Sequence, residues 1–286
     1  MATLVFQLIG IGLLLLGSIA GETALQRRSP MTGAARQARA LAILAGVGGL
    51  VGAAAWWPNL PNAFSWALPP VAARLLAVAG IAFGFAALRA AWIGSVGHLR
   101  LVSVMLAVYL GPLAAAAVTL HLDRFDFAAP VTYVFFAIVL AMLAAALAAI
   151  IRLPFDERGL SSGMLGLVGT LAALWGLALF VWPDGPSALI WPWPQDPLTT
   201  RLIASMFLTI SAACLYAEGR AERQTVDLFC LIYGAGAVVV LTLAMLAGKP
   251  ALWAYLVFWA MVALQALRGL ISDRAPVPAS ATNRPD

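Results

Sequence analysis

Residues 57–74 of the chain read WPNLPNAFSWALPPVAAR and separate two long apolar runs. A similar segment, WPDGPSALIWPWPQDPLTTR, occupies residues 182–201. Both begin with Trp-Pro at the end of one apolar run, pass through further prolines and tryptophans, and end with an arginine at the start of the next run. Proline ends helices, and tryptophan is typical of membrane interfaces. We therefore interpret the two segments as equivalent boundaries in a duplicated membrane unit.

The composition of the 286-residue chain excludes an ordinary soluble fold. Hydrophobic residues make up 63% of it and charged residues 10%, whereas soluble domains carry roughly 25% charged residues. The apolar runs are longer than the roughly 10 residues of a membrane β-strand, and they do not alternate with polar residues. Because a backbone in lipid must satisfy its own hydrogen bonds, the sequence predicts an all-α, polytopic membrane protein.

Nine transmembrane helices are predicted, each near the roughly 20 residues that cross a bilayer. Their approximate bounds are 3–21, 39–57, 71–92, 100–121, 130–151, 163–182, 199–217, 226–247 and 251–271. The first run contains Ser18-Ile19-Ala20, whose small first and third residues resemble those before the cleavage site of a signal peptide. However, it lacks a basic segment before it, and its apolar run is longer than is usual for a signal peptide. We therefore expect a retained helix.

The distribution of basic residues predicts the orientation. With the N-terminus outside, 13 of the 17 Lys and Arg residues fall in cytoplasmic segments. The other four, on the outer side, are Arg74, Arg124, Arg201 and Lys249. Cytoplasmic loops of membrane proteins are enriched in basic residues. We expect a bacterial inner-membrane protein with its N-terminus outside and its C-terminus in the cytoplasm.

Matches between the two halves support the duplication. Residues 74–77, RLLA, align with residues 201–204, RLIA, and Tyr109 and Tyr233 fall at comparable places in the fourth and eighth spans. Each unit has four spans, so both copies enter the membrane in the same direction and are related by an axis along the membrane normal. The predicted domains are an N-terminal helix with its basic loop (1–38), a first repeat (39–152), a second repeat (153–271) and a disordered cytoplasmic tail (272–286).

The first candidate binding site combines Arg74 and Arg201 with Trp66, Trp191 and Trp193 at the outer ends of the spans. An arginine that faces lipid is costly, whereas the guanidinium fork is suited to a phosphate or carboxylate. Two arginines related by the repeat could converge and bind an anionic group. The alternative is that the tryptophans are interfacial residues and that each arginine only anchors its helix.

The second candidate is His121 with Asp123 in the outer segment HLDRFDF. These residue types can relay protons or bind metals, and the alternative is a solvated turn. His98 and His121 are 23 residues apart at the two ends of one span, which is roughly 34 Å along a helix, so they cannot bind one haem iron. We predict no metal, no cofactor and no catalytic residue.

Motifs of soluble enzymes are absent, and ionisable residues are nearly missing inside the spans. We therefore expect a non-catalytic protein whose outer face binds a lipid, another anionic ligand or a membrane subunit; its partners are membrane lipids and not nucleic acid. One alternative is a small-solute permease or channel with a pathway between the repeats. Another is a membrane enzyme that acts on a lipid through His121 and Asp123.

Three smaller expectations concern packing. The spacings of Gly48 with Gly52 and of Gly80 with Gly84 favour close helix contacts. Cys214 and Cys230 are expected to be small buried hydrophobic residues rather than part of a disulfide framework. The cytoplasmic segment EGRAERQTVD, residues 218–227, has the mixed charge of a solvated turn.

Overall fold

The computed structural model describes residues 2–60, 63–155, 163–184, 196–249 and 253–272, with side chains from residue 9 onward. Within these ranges the chain is helical and contains no strand. Nine of the described helices are long and apolar enough to cross a membrane. The predicted all-α class and the predicted number of long apolar helices are therefore confirmed for the described residues.

The nine helices lie within a few residues of the predicted bounds, except at the end of the first and at the start of the second, which begins six residues before its predicted start. They are α1 Ala2–Arg28, α2 Gly33–Trp56, α3 Pro70–Ile93, α4 Val96–Leu120, α5 Pro130–Arg152, α6 Met164–Val181, α7 Pro197–Ala217, α8 Arg223–Leu246 and α9 Trp253–Ser272. α1 continues to Arg28, beyond the predicted end at residue 21, because its polar last turns pack on α2. A short 3-10 turn, Leu122–Arg124, follows α4.

The helices pack mainly as neighbours along the chain, α2 on α3, α4 on α5, α6 on α7 and α8 on α9. The sets α2–α5 and α6–α9 meet through their middle helices, because α3 packs on α8 and α4 packs on α7. α1 lies against α2 at the edge of the bundle. The two inner helices of each set are thus the most buried part of the structure.

Glycines bring the backbones of α2 and α3 together. A Cβ atom added at Gly49 would lie 2.6 Å from the carbonyl oxygen of Gly80, and one added at Gly84 would lie 2.9 Å from the carbonyl oxygen of Gly46. The expected close contact at Gly80 and Gly84 is therefore present. Its partners on α2 are Gly46 and Gly49, whereas Gly48 faces a leucine of α1.

The segment 218–227 is not a solvated turn, and that expectation was wrong. Glu218 is 6% exposed, Glu222 9% and Asp227 1%. A carboxylate oxygen of Glu218 accepts a hydrogen bond from the backbone N–H of Gly166, 2.6 Å away, at the start of α6. Glu222 lies 3.8 Å from His98 at the start of α4. Helix N-termini carry free N–H groups and a partial positive charge, which offset the burial of these carboxylates.

A buried arginine fastens α1 to α2 at the same end of the bundle. Arg39 is 1% exposed, and its guanidinium donates to the carbonyl oxygen of Ser29 at 2.7 Å and to a carboxylate oxygen of Glu22 at 3.3 Å. This network explains why α1 stays helical through its polar end, because Glu22 lies on that extension.

The two cysteines lie side by side on α7 and α8. The sulfur atoms of Cys214 and Cys230 are 3.8 Å apart as free thiols, and both side chains are buried. They fill space in the largest apolar cluster of the bundle, as expected for small hydrophobic residues.

We predict that Gly49→Ala destabilises the protein by about 1–3 kcal/mol, because the new methyl group would press on the Gly80 backbone, which cannot move away without separating the helices. The matched control is Gly12→Ala on α1, where the added Cβ meets nothing within 4 Å. Thermal unfolding in detergent measures both. Equal melting temperatures for the two variants would contradict this packing.

Candidate functional site

A cavity of about 560 Å³ lies among helices of both sets. This volume is within the roughly 300–1,000 Å³ of small-molecule sites. Its wall is almost entirely apolar and is formed by α1–α5, α7 and α8. Part of the wall on α5, at Ala137, Ile138 and Ala141, is exposed on the outside of the bundle. The cavity therefore opens sideways, toward the surface that faces lipid in a membrane.

Two tyrosines are the main polar feature of this wall. Tyr109 on α4 and Tyr233 on α8 both line the cavity and lie close enough to interact electrostatically. The Tyr233 hydroxyl points to the sulfur of Met206 at 3.9 Å, which is a weak acceptor. The Tyr109 hydroxyl makes no hydrogen bond with any residue in the described part of the chain. Both hydroxyls thus have spare hydrogen-bonding capacity.

Aromatic rings close the cavity at the end of the bundle where α3 begins, which is called the outer end after the orientation predicted from the basic residues. Trp56, which lines the cavity, packs edge-on against Phe64 with ring centroids 6.0 Å apart, and Phe64 packs in the same way against Trp66 at 4.4 Å. Phe125 and Phe135 complete this aromatic cap, each with its ring centroid within 6 Å of that of Trp66. Such edge-to-face contacts are favourable beyond the area they bury. The cap separates the cavity from the outer surface.

Trp66 also joins the 57–74 segment to α7. Its indole N–H donates to the hydroxyl of Thr199, 3.1 Å away, and the side chain is 8% exposed. Thr199 in turn donates its backbone N–H to Asp196, which caps the start of α7 at 2.9 Å. The structure therefore places this candidate residue in the core, where it positions the outer ends of two helices.

The two candidate groups meet at the outer ends of α4 and α7. A guanidinium nitrogen of Arg201 lies 2.6 Å from Nε2 of His121. Beside them, Arg124 forms an ion pair with Asp196 at 3.7 Å. Arg201 and His121 were predicted to belong to separate sites, and they are 80 positions apart along the chain. Together with Asp123 they form one outer polar cluster.

Arginine can only donate, so Nε2 of His121 accepts and the proton of the neutral ring is on Nδ1. Removal from water lowers the pKa of His121, and the charge of Arg201 lowers it further, although Asp123 and Asp196 act in the opposite direction. His121 is therefore a neutral acceptor near neutral pH, and the positive charge of the pair is on Arg201.

The other residues predicted from the sequence are placed as follows. Arg74 is the fifth residue of α3, is half-buried, and makes no hydrogen bond or ion pair with a described residue. Trp191 and Trp193 lie outside the described residues. Among the described residues, no group of three or more His, Cys, Asp or Glu side chains is placed to hold a metal ion.

Sequence reasoning missed the cavity as a site. One signal pointed toward it, because Tyr109 and Tyr233 hold comparable places in the two halves and both line the wall. Hydropathy could not reveal a cavity, since its wall has the same composition as the packed helices around it.

Comparison with known proteins gives no relative for this chain: no family model, no curated protein and no solved structure matches it.

We predict that Trp66→Phe lowers the free energy of unfolding by about 1–3 kcal/mol, because it removes a buried hydrogen bond to Thr199. Trp57→Phe is the matched control, since Trp57 is 38% exposed at the end of α2. Denaturation in mixed micelles measures both variants. A loss no greater for Trp66→Phe than for the control would contradict the role of this bond.

We also predict that the outer cluster makes stability depend on pH. Because the pKa of His121 is lowered on folding, the unfolded chain binds a proton near pH 6.5 that the folded chain resists. Protonation of His121 therefore does not change the free energy of unfolding above that pH, and it lowers the free energy of unfolding as the pH decreases below 6.5. His121→Gln keeps an acceptor for Arg201 and does not titrate, so it should reduce the drop in melting temperature between about pH 7.5 and about pH 5.5. An unchanged drop would exclude this role.

Proposed function

We propose that the protein is a non-catalytic, multi-pass membrane protein that binds a lipid, and that an apolar part of this lipid occupies the sideways-opening cavity. The observation that carries the proposal is the cavity itself: about 560 Å³ of space with an almost wholly apolar wall inside a bundle of membrane-length helices. Packed protein interiors contain few voids larger than a water molecule. A space of this size therefore costs stability unless something fills it.

The position of the opening supports a lipid as the occupant. The exposed part of the wall on α5 is continuous with apolar side chains on the outside of the bundle, such as Val134 and Leu140. In a bilayer, the molecules at this opening are lipids, which can enter without crossing a polar barrier. Water is a poor occupant, because it needs two or more polar partners.

The alternatives receive less support. A permease for a polar solute needs hydrogen-bonding groups along its pathway, whereas the described wall offers mainly Tyr109, Thr209 and Tyr233. A lipid enzyme that uses His121 and Asp123 needs these residues free to exchange protons with a substrate, whereas Nε2 of His121 already accepts from Arg201. Binding is therefore the function we favour.

The membrane arrangement is part of the proposal. The helix contacts support two parallel repeats, α2–α5 and α6–α9. In such a repeat α3 corresponds to α7 and α4 corresponds to α8. The contact of α3 with α8 therefore has a symmetric counterpart, the contact of α7 with α4, and both are present. The bias of 13 basic residues to four supports an outer N-terminus and a cytoplasmic C-terminus. We place the protein in a bacterial inner membrane on the same grounds.

The outer face is the proposed contact for an anionic headgroup. Arg74 has no ion pair with a described residue, and it is the fifth residue of its helix, near the proposed outer boundary of the membrane. Arg201 keeps its charge while bound to the neutral His121. A phosphate could accept hydrogen bonds from either guanidinium group.

We predict that Ala79→Phe, deep in the wall, and Ala141→Phe, at its opening, each reduce the lipid retained by the purified protein, because the added ring fills the cavity. The control is Ala145→Phe, which makes the same change one turn further along α5, at an exposed position outside the wall. Native mass spectrometry measures the bound lipid.

The double variant Arg74→Ala/Arg201→Ala should still bind lipid, because the cavity is unchanged, but it should lose the preference for lipids with anionic headgroups. The same mass spectrometry measures this preference.

Two results would contradict the proposal. If the wild type retains no lipid under conditions that preserve its fold, the cavity has another role. If Ala79→Phe and Ala141→Phe retain as much lipid as Ala145→Phe, the bound lipid lies on the outside of the bundle rather than in the cavity.

A further inference from the structure

We infer that the cavity selects a neutral lipid that carries a hydrogen-bond acceptor within its apolar body, such as the ring carbonyl of a quinone, and that the hydroxyl of Tyr109 donates to it. This inference rests on the proposed lipid-binding function and names the class of lipid. It depends on the two tyrosines, on their depth in the bundle and on the charge of the wall.

The hydroxyl of Tyr109 lacks a hydrogen-bond acceptor among the described residues. A hydroxyl without a hydrogen bond in an apolar environment is unfavourable, and a phenylalanine at position 109 would fill nearly the same space without that cost. Yet the Tyr109 hydroxyl has no partner among the described residues. Tyr233 has only the sulfur of Met206 at 3.9 Å. The third hydroxyl of the wall, on Thr209, already donates to the backbone of its own helix at 2.7 Å. The wall thus offers donors for which it has no strong acceptor.

The depth of Tyr109 excludes the carbonyl groups of ordinary phospholipids. Tyr109 lies in the middle of α4, Val96–Leu120, which at 1.5 Å per residue places it roughly 17–20 Å from either end. The hydrocarbon core of a bilayer is about 30 Å thick, so ester carbonyls at its edge do not reach this depth. An acceptor near Tyr109 must belong to a lipid whose polar atom can enter the hydrocarbon region.

Because the described wall carries no charged side chain, the polar group of the lipid must be neutral. The described residues that line the cavity include no Asp, Glu, Lys, Arg or His. A charged group in such surroundings would be strongly unfavourable. A carbonyl or ether oxygen on an apolar ring or chain satisfies both conditions, since it accepts from a tyrosine and carries no net charge.

The test uses two probes of matched shape, a benzoquinone with a decyl tail and decylbenzene, titrated by calorimetry into the purified full-length protein. The wild type should bind the quinone roughly threefold to tenfold more tightly, as expected for one hydrogen bond. Tyr109→Phe should bind both probes equally, with the affinity for decylbenzene unchanged. Tyr133→Phe is the control, because Tyr133 is 60% exposed on α5 and does not line the cavity.

The outcomes separate the two proposals. If wild type and Tyr109→Phe bind the two probes with the same preference, the hydroxyl does not recognise an acceptor, and this inference fails while lipid binding stands. If neither probe binds the wild type, or if Ala79→Phe binds both as well as the wild type does, the cavity is not the binding site and the proposed function fails. A loss of affinity for both probes in Tyr109→Phe would assign Tyr109 to the shape of the wall and would overturn its role as a donor.

Discussion

Hydrocarbon provides no hydrogen-bond partners, and a bundle of apolar helices must satisfy its polar groups from within. Several hydroxyls on the described helices follow this rule, since Ser103, Thr119 and Thr170 each donate to the carbonyl oxygen four residues earlier. The buried carboxylates follow it as well, because Glu218 and Glu222 lie against helix N-termini. The hydroxyl of Tyr109 has no such partner among the described residues. The buried hydroxyl of Ser18 also lacks one, but only Tyr109 of these two lines the cavity, which is a reason to look for a ligand at that place.

The closest helix crossing in this bundle lies beside the cavity. Where α2 crosses α3, glycines let the backbones approach so closely that a single added methyl group would collide with a carbonyl oxygen. Gly49 and Gly80 take part in that contact and also line the cavity. The close crossing therefore forms part of the cavity wall and keeps its two helices at a fixed distance. A cavity with a rigid wall can keep its shape when its occupant leaves.

The outer ends of the helices are held by contacts between distant segments. Trp66 from the Trp-Pro segment reaches Thr199 on α7, and Arg201, two residues further along, reaches His121 at the end of α4. These contacts lie beside the aromatic cap that closes the cavity. Trp66 and Arg201 therefore connect distant helices. An anionic ligand at Arg201 would share the guanidinium group with His121.

The sequence by itself determined the all-α class, the number of long apolar helices and nearly all of their bounds, because each depends on local composition: runs of about 20 apolar residues between Trp-Pro segments and charged turns. It also identified Gly80 and Gly84 as a close-contact face, since the four-residue spacing is local. Only the tertiary structure decided that Arg201 meets His121, that Glu218, Glu222 and Asp227 are buried, and that Tyr109 and Tyr233 line one cavity. These features depend on distances between residues that are far apart in the chain, and such distances are set by the packing of whole helices rather than by the residues near each one.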